Sequence, residues 1–459
     1  MFGMSRREFL LGSAATAAAS SATYALGKSV MSADMQLPIG YFDHSIVPGT
    51  VTEGMMGFGE GGPAPTIRLK QHETKSIQVI NNLHEASIVH WHGLRHANNM
   101  DGVPYLTQRP IEFGETFRYE IQSPDAGTFW YHPHCNTLDQ MARGMTGLLI
   151  VDEPEDPGFD HDIALNIRDF RLGTDGQFVA LYKPRNAARG GTLGIVSTVN
   201  WKIQPTYQFP AGSLVRVRMA VTDVTRVGQY RLEGANSKVM ALDSHPLISP
   251  TPTTSILLAP GQRADLAVKM PEEGESAKLV LDTLAGPRPM ATFTSTQATV
   301  ERSLHEIAPL PANPVSEPDV DNAEILEFVF GWSPDGDEPV ASICGSLGYT
   351  FWSINRTPWL GDTPGPLDPL AVMKLGKSYI LRLINNTPND HPIHLHGLAF
   401  KQLRSDKRDI PNVFTDTALL LSGETMDVAL VADNPGDWAF HCHVIEHQKT
   451  GLAGYLRVE

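Results

Sequence analysis

The chain has 459 residues, a formal net charge of −15 and a hydrophobic fraction of 41%. That length buries several cores without needing cross-links, and such acidity excludes the basic surface that a nucleic-acid binder requires. With 40 glycines and 34 prolines the chain is rich in turns, and no apolar run of membrane-spanning length follows the N-terminal region.

The first element is Ser5-Arg6-Arg7-Glu8-Phe9-Leu10, followed by an Ala-rich apolar stretch to about Leu26, with small residues at Ala22, Ala25 and Ala33. A charged start, a short apolar stretch and small residues read as a secretory signal. The arginine pair resembles the bacterial twin-arginine signal; the alternative is a short buried helix. Residues 1–33 are therefore expected to be removed, with cleavage between residues 20 and 36. The mature protein is expected in the periplasm or outside the cell, carried there by the twin-arginine export machinery and with no membrane span. Removal takes away Arg6, Arg7, Lys28 and Glu8, leaving the mature chain more acidic.

Three stretches then repeat. Pro65–Leu69 with Ile77–Asn82, Pro205–Phe209 with Leu214–Arg218, and Leu370–Met373 with Tyr379–Asn386 each read as two short alternating strands around a turn. A further strand starts at Gly114-Glu115-Thr116, Gly261-Gln262-Arg263 and Gly423-Glu424-Thr425, at similar distances. Three strand-rich units predict an all-β protein of three related domains. Composition sets their limits at 34–155, 156–307 and 323–459, with a proline-rich linker over 308–322 that contains Pro309, Pro311, Pro314 and Pro318.

The 17 histidines include four His-x-His pairs: His90/His92, His132/His134, His394/His396 and His441/His443. The pairs follow the repeat. His90-Trp91-His92-Gly93 answers His394-Leu395-His396-Gly397, and Gly127–His134 answers Gly436–His443, while the middle unit has no pair. On a strand, residues i and i+2 face one way, so each pair points two imidazoles into one space. Isolated histidines such as His44, His72, His84, His96, His161, His245 and His305 read as ordinary core or surface residues. Imidazole suits several metals, but Cys442 narrows the choice: His391, Cys442 and His447 form the two-His-one-Cys set of a blue-copper centre. Cys442 lies between His441 and His443, which links that centre to the histidine cluster. The remaining cysteines, Cys135 and Cys344, either pair or stay as two buried thiols.

Together these motifs (His-Trp-His-Gly, His-Pro-His, His-Pro-x-His-x-His-Gly and His-Cys-His-x-x-x-His) resemble those of the multicopper oxidases, the laccase-like family of three cupredoxin domains. The resemblance spans nearly the whole mature chain. It implies three cupredoxin-like Greek-key β-sandwich or barrel domains and four copper ions. Type 1 copper would take His391, Cys442 and His447, and type 2 copper His90 and His394. The type 3 pair would take His92, His132 and His443 on one ion, and His134, His396 and His441 on the other. The family oxidises a small reducing substrate one electron at a time and reduces O2 to water with four electrons. The resemblance also makes Asp101, in Met100-Asp101-Gly102, the acid that feeds protons to the cluster; its other reading is a turn Asp. Glu446, beside His447, is a second acid candidate; some relatives carry an acid directly after that histidine, where this chain departs with Gln448.

Many bacterial relatives place an axial Met ten residues after the cysteine. Leu452 stands there in this chain, which implies a three-coordinate type 1 copper of raised potential. The 15 methionines are dispersed, and Met141 with Met145 makes no methionine-rich insert. Phenols or aromatic amines are therefore the expected donors. A metallo-oxidase acting on Cu(I), Fe(II) or Mn(II), or a non-catalytic copper-binding envelope protein, are the alternatives.

Overall fold

The alternating runs seen in the sequence are strands. In the computed structural model, which describes residues 33–334, 338–365 and 368–459, Ile67–Lys70 and Thr74–Asn81 form the first such pair, Thr206–Pro210 and Leu214–Val221 the second, and Ala371–Met373 and Ser378–Asn385 the third. The twin arginine at Arg6 and Arg7 lies outside the described residues. Among those that are described, no helix is long and apolar enough to cross a membrane.

One pairing scheme recurs. Thr74–Asn81 lies between Met35–His44, parallel, and Thr116–Gln122, antiparallel. Leu214–Val221 lies in the same way between His161–Phe170 and Arg263–Lys269, and Ser378–Asn385 between Glu324–Trp332 and Thr425–Val431. A parallel neighbour needs a crossover to the other sheet, so each unit closes as two sheets around one core rather than as a meander. In the first unit the second sheet runs Ile67–Lys70, Gly147–Asp152, Gly127–Pro133, Val89–His92 in spatial order. In the third it runs Ala371–Met373, Ala453–Val458, Gly436–Cys442, His391–Leu395, Thr417–Leu420.

The cores sit between the paired sheets. Leu37, Ile77, Val79 and Tyr119 from one sheet meet Trp91, Phe129, Tyr131 and Leu149 from the other in the first unit. Phe328, Leu381, Leu383 and Val428 meet Ile393, Leu395, Trp438 and Phe440 in the third. The middle unit repeats this with Val215, Val217, Leu266, Leu279 and Phe293. Alternation along each strand puts these residues inward.

Two connections tie the units together. Cys135 and Cys344 form a disulfide with Cα atoms 4.5 Å apart, which decides between the two alternatives left by the sequence. The proline-rich segment has no regular structure at 309–318, yet it is pinned: Asn313 accepts from the Ala126 amide at 2.9 Å and donates to the carbonyls of Ala126 and Ser244 at 3.0 and 2.9 Å.

Candidate metal centre

The histidine pairs stand on neighbouring strands. Val89–His92 runs antiparallel to Gly127–Pro133, with His90 opposite His132. His391–Leu395 runs antiparallel to Gly436–Cys442, with His394 opposite His441. The two sets interleave: the ring of His90 stacks on that of His396, and His92 on His394, each at 3.7 Å. The structure thus brings all eight paired histidines into one buried cluster. Nitrogens of His90, His92 and His132, of His90, His394 and His396, and of His134, His396 and His441 each lie within 4.8 Å of one another. His443 completes the group, 5.0 Å from the ring of His92 and 5.3 Å from that of His132.

Close backbone approach explains the glycine that ends each His-x-His-Gly motif. Gly93 has φ +88°, and a Cβ there would lie 2.5 Å from the Arg263 guanidinium and 2.8 Å from the Asp416 carboxylate. Gly397 has φ +63°, and its Cβ would lie 2.2 Å from the ring of Trp438.

Outer hydrogen bonds set which ring nitrogen faces inward. Nδ1 of His90, His132, His394 and His441 meets the carbonyl of Asp101, Pro133, Asp416 and Cys442, respectively, at 2.9–3.0 Å. His396 Nδ1 donates to Asp101 Oδ2 at 2.9 Å. A neutral imidazole that gives Nδ1–H away turns the Nε2 lone pair inward. Nε2 of His90, His132 and His394 is buried with no hydrogen-bond partner, and His396 and His441 aim Nε2 at each other at 3.0 Å. His92 is reversed: Nε2 faces Asp416 Oδ1 at 3.3 Å, and the unpartnered nitrogen is Nδ1. Burial also pushes His92, His132, His134, His394, His396 and His443 below the ordinary imidazole value, and His441 to about 3. Neutral lone pairs converging without partners are the donor set a metal cation requires.

The second grouping is His391, Cys442 and His447. Its hydrogen bonds are inverted. His391 Nε2 meets Thr387 Oγ1 at 2.9 Å, and His447 Nε2 donates to the Arg189 carbonyl. Both Nδ1 atoms therefore face Cys442 Sγ, each at 3.6 Å. Burial lowers His391 and brings His447 to about 4, and it pushes the Cys442 thiol up. A bound cation would favour the thiolate at that sulfur. The Leu452 carbonyl accepts from the Cys442 amide at 3.0 Å, and the Leu452 side chain is fully buried in the same core as Cys442.

The acids occupy different places. Asp101 is buried in the cluster, with Oδ1 3.2 Å from His90 Nδ1 and Oδ2 on His396. Glu446 is also buried, but neither of its oxygens has a hydrogen-bond partner. Burial pushes its carboxyl to about 7, against the opposing pull of Thr192 and Arg171. Gln448, not Glu446, reaches the cluster, its Nε2 lying 3.2 Å from His134 Nε2.

Sequence reasoning missed the part played by the middle unit. Arg263 pairs with Asp416 at 2.6 Å and with Asp243 at 3.3 Å, all three buried. Asp416 reaches His92 and His394 at 3.3 Å each. Burial would raise the Asp416 carboxyl, but Arg263 and the two histidines outweigh it and hold it well below the usual range. The Gly261-Gln262-Arg263 repeat marked this strand, but nothing local signalled that its arginine reaches the histidines.

A multicopper oxidase profile matches residues 43–156, and a second multicopper oxidase profile matches residues 345–459. The fold is similar to the crystal structure of a multi-copper oxidase from Pseudomonas thermotolerans, with TM-score 0.84 and 40% identity, covering 93% of this chain and 100% of that one. In sequence the chain is similar to Multicopper oxidase MmcO of Mycobacterium tuberculosis, 27% identical over 438 residues, or 87% of this chain and 82% of that protein. It is also similar to Laccase-1 of Botryotinia fuckeliana, 25% identical over 453 residues, or 88% and 78%.

Proposed function

Because the chain belongs to the multicopper oxidase family, copper-dependent oxidoreductases that use O2 as acceptor, we propose that it is a laccase-like oxidase of phenols and aromatic amines. Its three cupredoxin-like units would span 34–155, 156–307 and 323–459. The observation that carries the reading is one peptide: Cys442 faces His391 and His447 while its neighbours His441 and His443 turn into the other cluster. We assign His391, Cys442 and His447 to a type 1 copper, and His90 and His394 to a type 2 copper. His92, His132 and His443, and His134, His396 and His441, are assigned to a type 3 pair. Copper held there supplies one-electron uptake from a donor and four-electron reduction of O2.

The chain's own residues supply the rest. Asp101 orients the His90 and His396 rings, and its carboxylate can take up and pass on a proton at Oδ1, which lies 3.2 Å from His90 Nδ1. Glu446, with no bond to a histidine, is the weaker second acid of this reading. Asp416 fixes His92 and His394, and Arg263 compensates its charge. Met141 and Met145 are buried in the apolar core, which supports organic donors rather than a methionine-fed cuprous site. The Arg6-Arg7 signal supports export to the periplasm, checked by a shortened N-terminus in the periplasmic fraction that is lost on Arg6→Lys/Arg7→Lys.

Two measurements test the function. Metal analysis should find about four coppers per chain in a blue protein; a zinc protein, or a colourless four-copper protein, overturns the assignment. O2 uptake should be faster with a phenolic donor than with Cu(I), and the reverse would make it a metallo-oxidase.

A further inference from the structure

Trp332 and Trp352 have no part in the functions described so far. They stand directly opposite each other where Glu324–Trp332 pairs with Trp352–Ile354, and their rings stack at 4.2 Å and 17°. Trp352 is buried, with its ring 4.7 Å from that of His447 and 5.2 Å from that of His391. Its Nε1 donates to the Ala187 carbonyl at 2.9 Å, which fixes the ring. Trp332 is 46% exposed. One aromatic column therefore runs from solvent to the two histidines beside Cys442. The direct approach is covered, since both imidazoles are buried and their outer nitrogens are taken by the Arg189 carbonyl and Thr387. A cross-strand aromatic pair stabilises a sheet anywhere. What distinguishes this pair is that its inner ring touches both imidazoles while its outer ring meets solvent.

We propose that Trp332 is the docking and electron-uptake residue for aromatic donors, passing each electron through Trp352 to the Cys442 centre. This rests on the copper reading of His391, Cys442 and His447. The flat outer indole offers a stacking face to a phenol ring. In each step the phenol loses one electron and releases its proton to water. The two indoles end as they began, and the electron would go to the copper that His391, Cys442 and His447 would hold. Phenoxyl radical leaves, and O2 is the final electron acceptor.

The test uses the blue holoenzyme under nitrogen, mixed rapidly with guaiacol. In Trp332→Leu and Trp332→Phe, bleaching of the blue band should slow at least tenfold; in Trp332→Tyr, which keeps an oxidisable ring, it should largely recover. The blue band position and bleaching by dithionite, which needs no stacking, should stay as in the wild type, while the Tm should fall only by the small amount a lost cross-strand aromatic pair costs. A second readout needs no turnover. Flash photo-oxidation of the reduced holoenzyme by a dissolved ruthenium complex should give transient tryptophan-radical absorption before the blue band returns, and Trp332→Leu should lose that transient. Guaiacol bleaching of Trp332→Leu at the wild-type rate would place electron uptake at the His447 edge and overturn the proposal alone. A colourless wild-type protein overturns the copper reading, and the proposal with it.

Discussion

Replacing Asp101 by Asn keeps the side-chain volume and removes one charge where two imidazoles depend on it. In the wild type, Asp101 Oδ2 accepts from His396 Nδ1 at 2.9 Å and Oδ1 lies 3.2 Å from His90 Nδ1. Asparagine has one acceptor oxygen instead of two, so one imidazole loses its acceptor or meets an N–H. It also cannot take up and return a proton. A positioned acid–base group contributes about 10²- to 10⁴-fold, or about 3–5 kcal/mol of barrier at 1.36 kcal/mol per decade. Loss of an outer ligand-orienting contact costs about 10–100-fold in metal affinity. Rapid mixing separates the two half-reactions. Bleaching of the blue band by a donor should keep its rate, because His391, Cys442 and His447 bond to one another while Asp101 bonds to His90 and His396. Its return on admitting O2 should slow by about 10²-fold or more. Copper analysis on the same sample distinguishes a proton defect, with four coppers retained, from lost orientation, with fewer. A fully loaded Asp101→Asn protein that reoxidises within about threefold of the wild type would refute the proton role, since a general acid–base contribution is larger than that.

Cys442→Ser should abolish the blue colour and leave about three coppers per chain, because the eight paired histidines do not use that sulfur. Leu452→Met should lower the type 1 potential in a redox titration of the blue band, since a thioether favours Cu(II), while the Leu/Met swap costs stability by under about 1.5 kcal/mol. Cys135→Ser with Cys344→Ser removes a cross-link spanning 209 residues and should lower unfolding stability by about 2–5 kcal/mol, read from denaturant midpoints. Burial and the neighbouring Asp223 push the Asp169 carboxyl up to about 6, against the stabilising pull of Arg226. A carboxyl raised on folding binds its proton more tightly in the native state, so its contribution is full at low pH and is lost as pH rises through about 6. Between pH 4 and 6 the Tm of Asp169→Asn should therefore fall less steeply than that of the wild type, and equal slopes would contradict this.

Much of this protein was legible without coordinates because the signals were local. Alternation decides which way a strand residue points, so His90/His92 and His394/His396 could be read as paired donors, and the strand repeat predicted an all-β chain. The run of His441, Cys442, His443 and His447 likewise lies along the end of one strand and the short helix that follows it. What tertiary structure alone decided is everything that depends on distant segments meeting. Cys135 and Cys344 were open between pairing and free thiols until the third unit brought Cys344 beside the first. Arg263 reaches Asp416 across 153 residues, and only Gly93, with no side chain, leaves it room. Asp101 and Glu446 were both named as acids, yet the fold turns one onto His396 and leaves the other without a hydrogen bond. Trp332 and Trp352 are merely two aromatics in sequence; strand register stacks them, and packing sets the inner one against His391 and His447. Backbone periodicity acts over a few residues and leaves its pattern in the sequence, whereas contacts made by side chains far apart in the chain leave no local pattern to read.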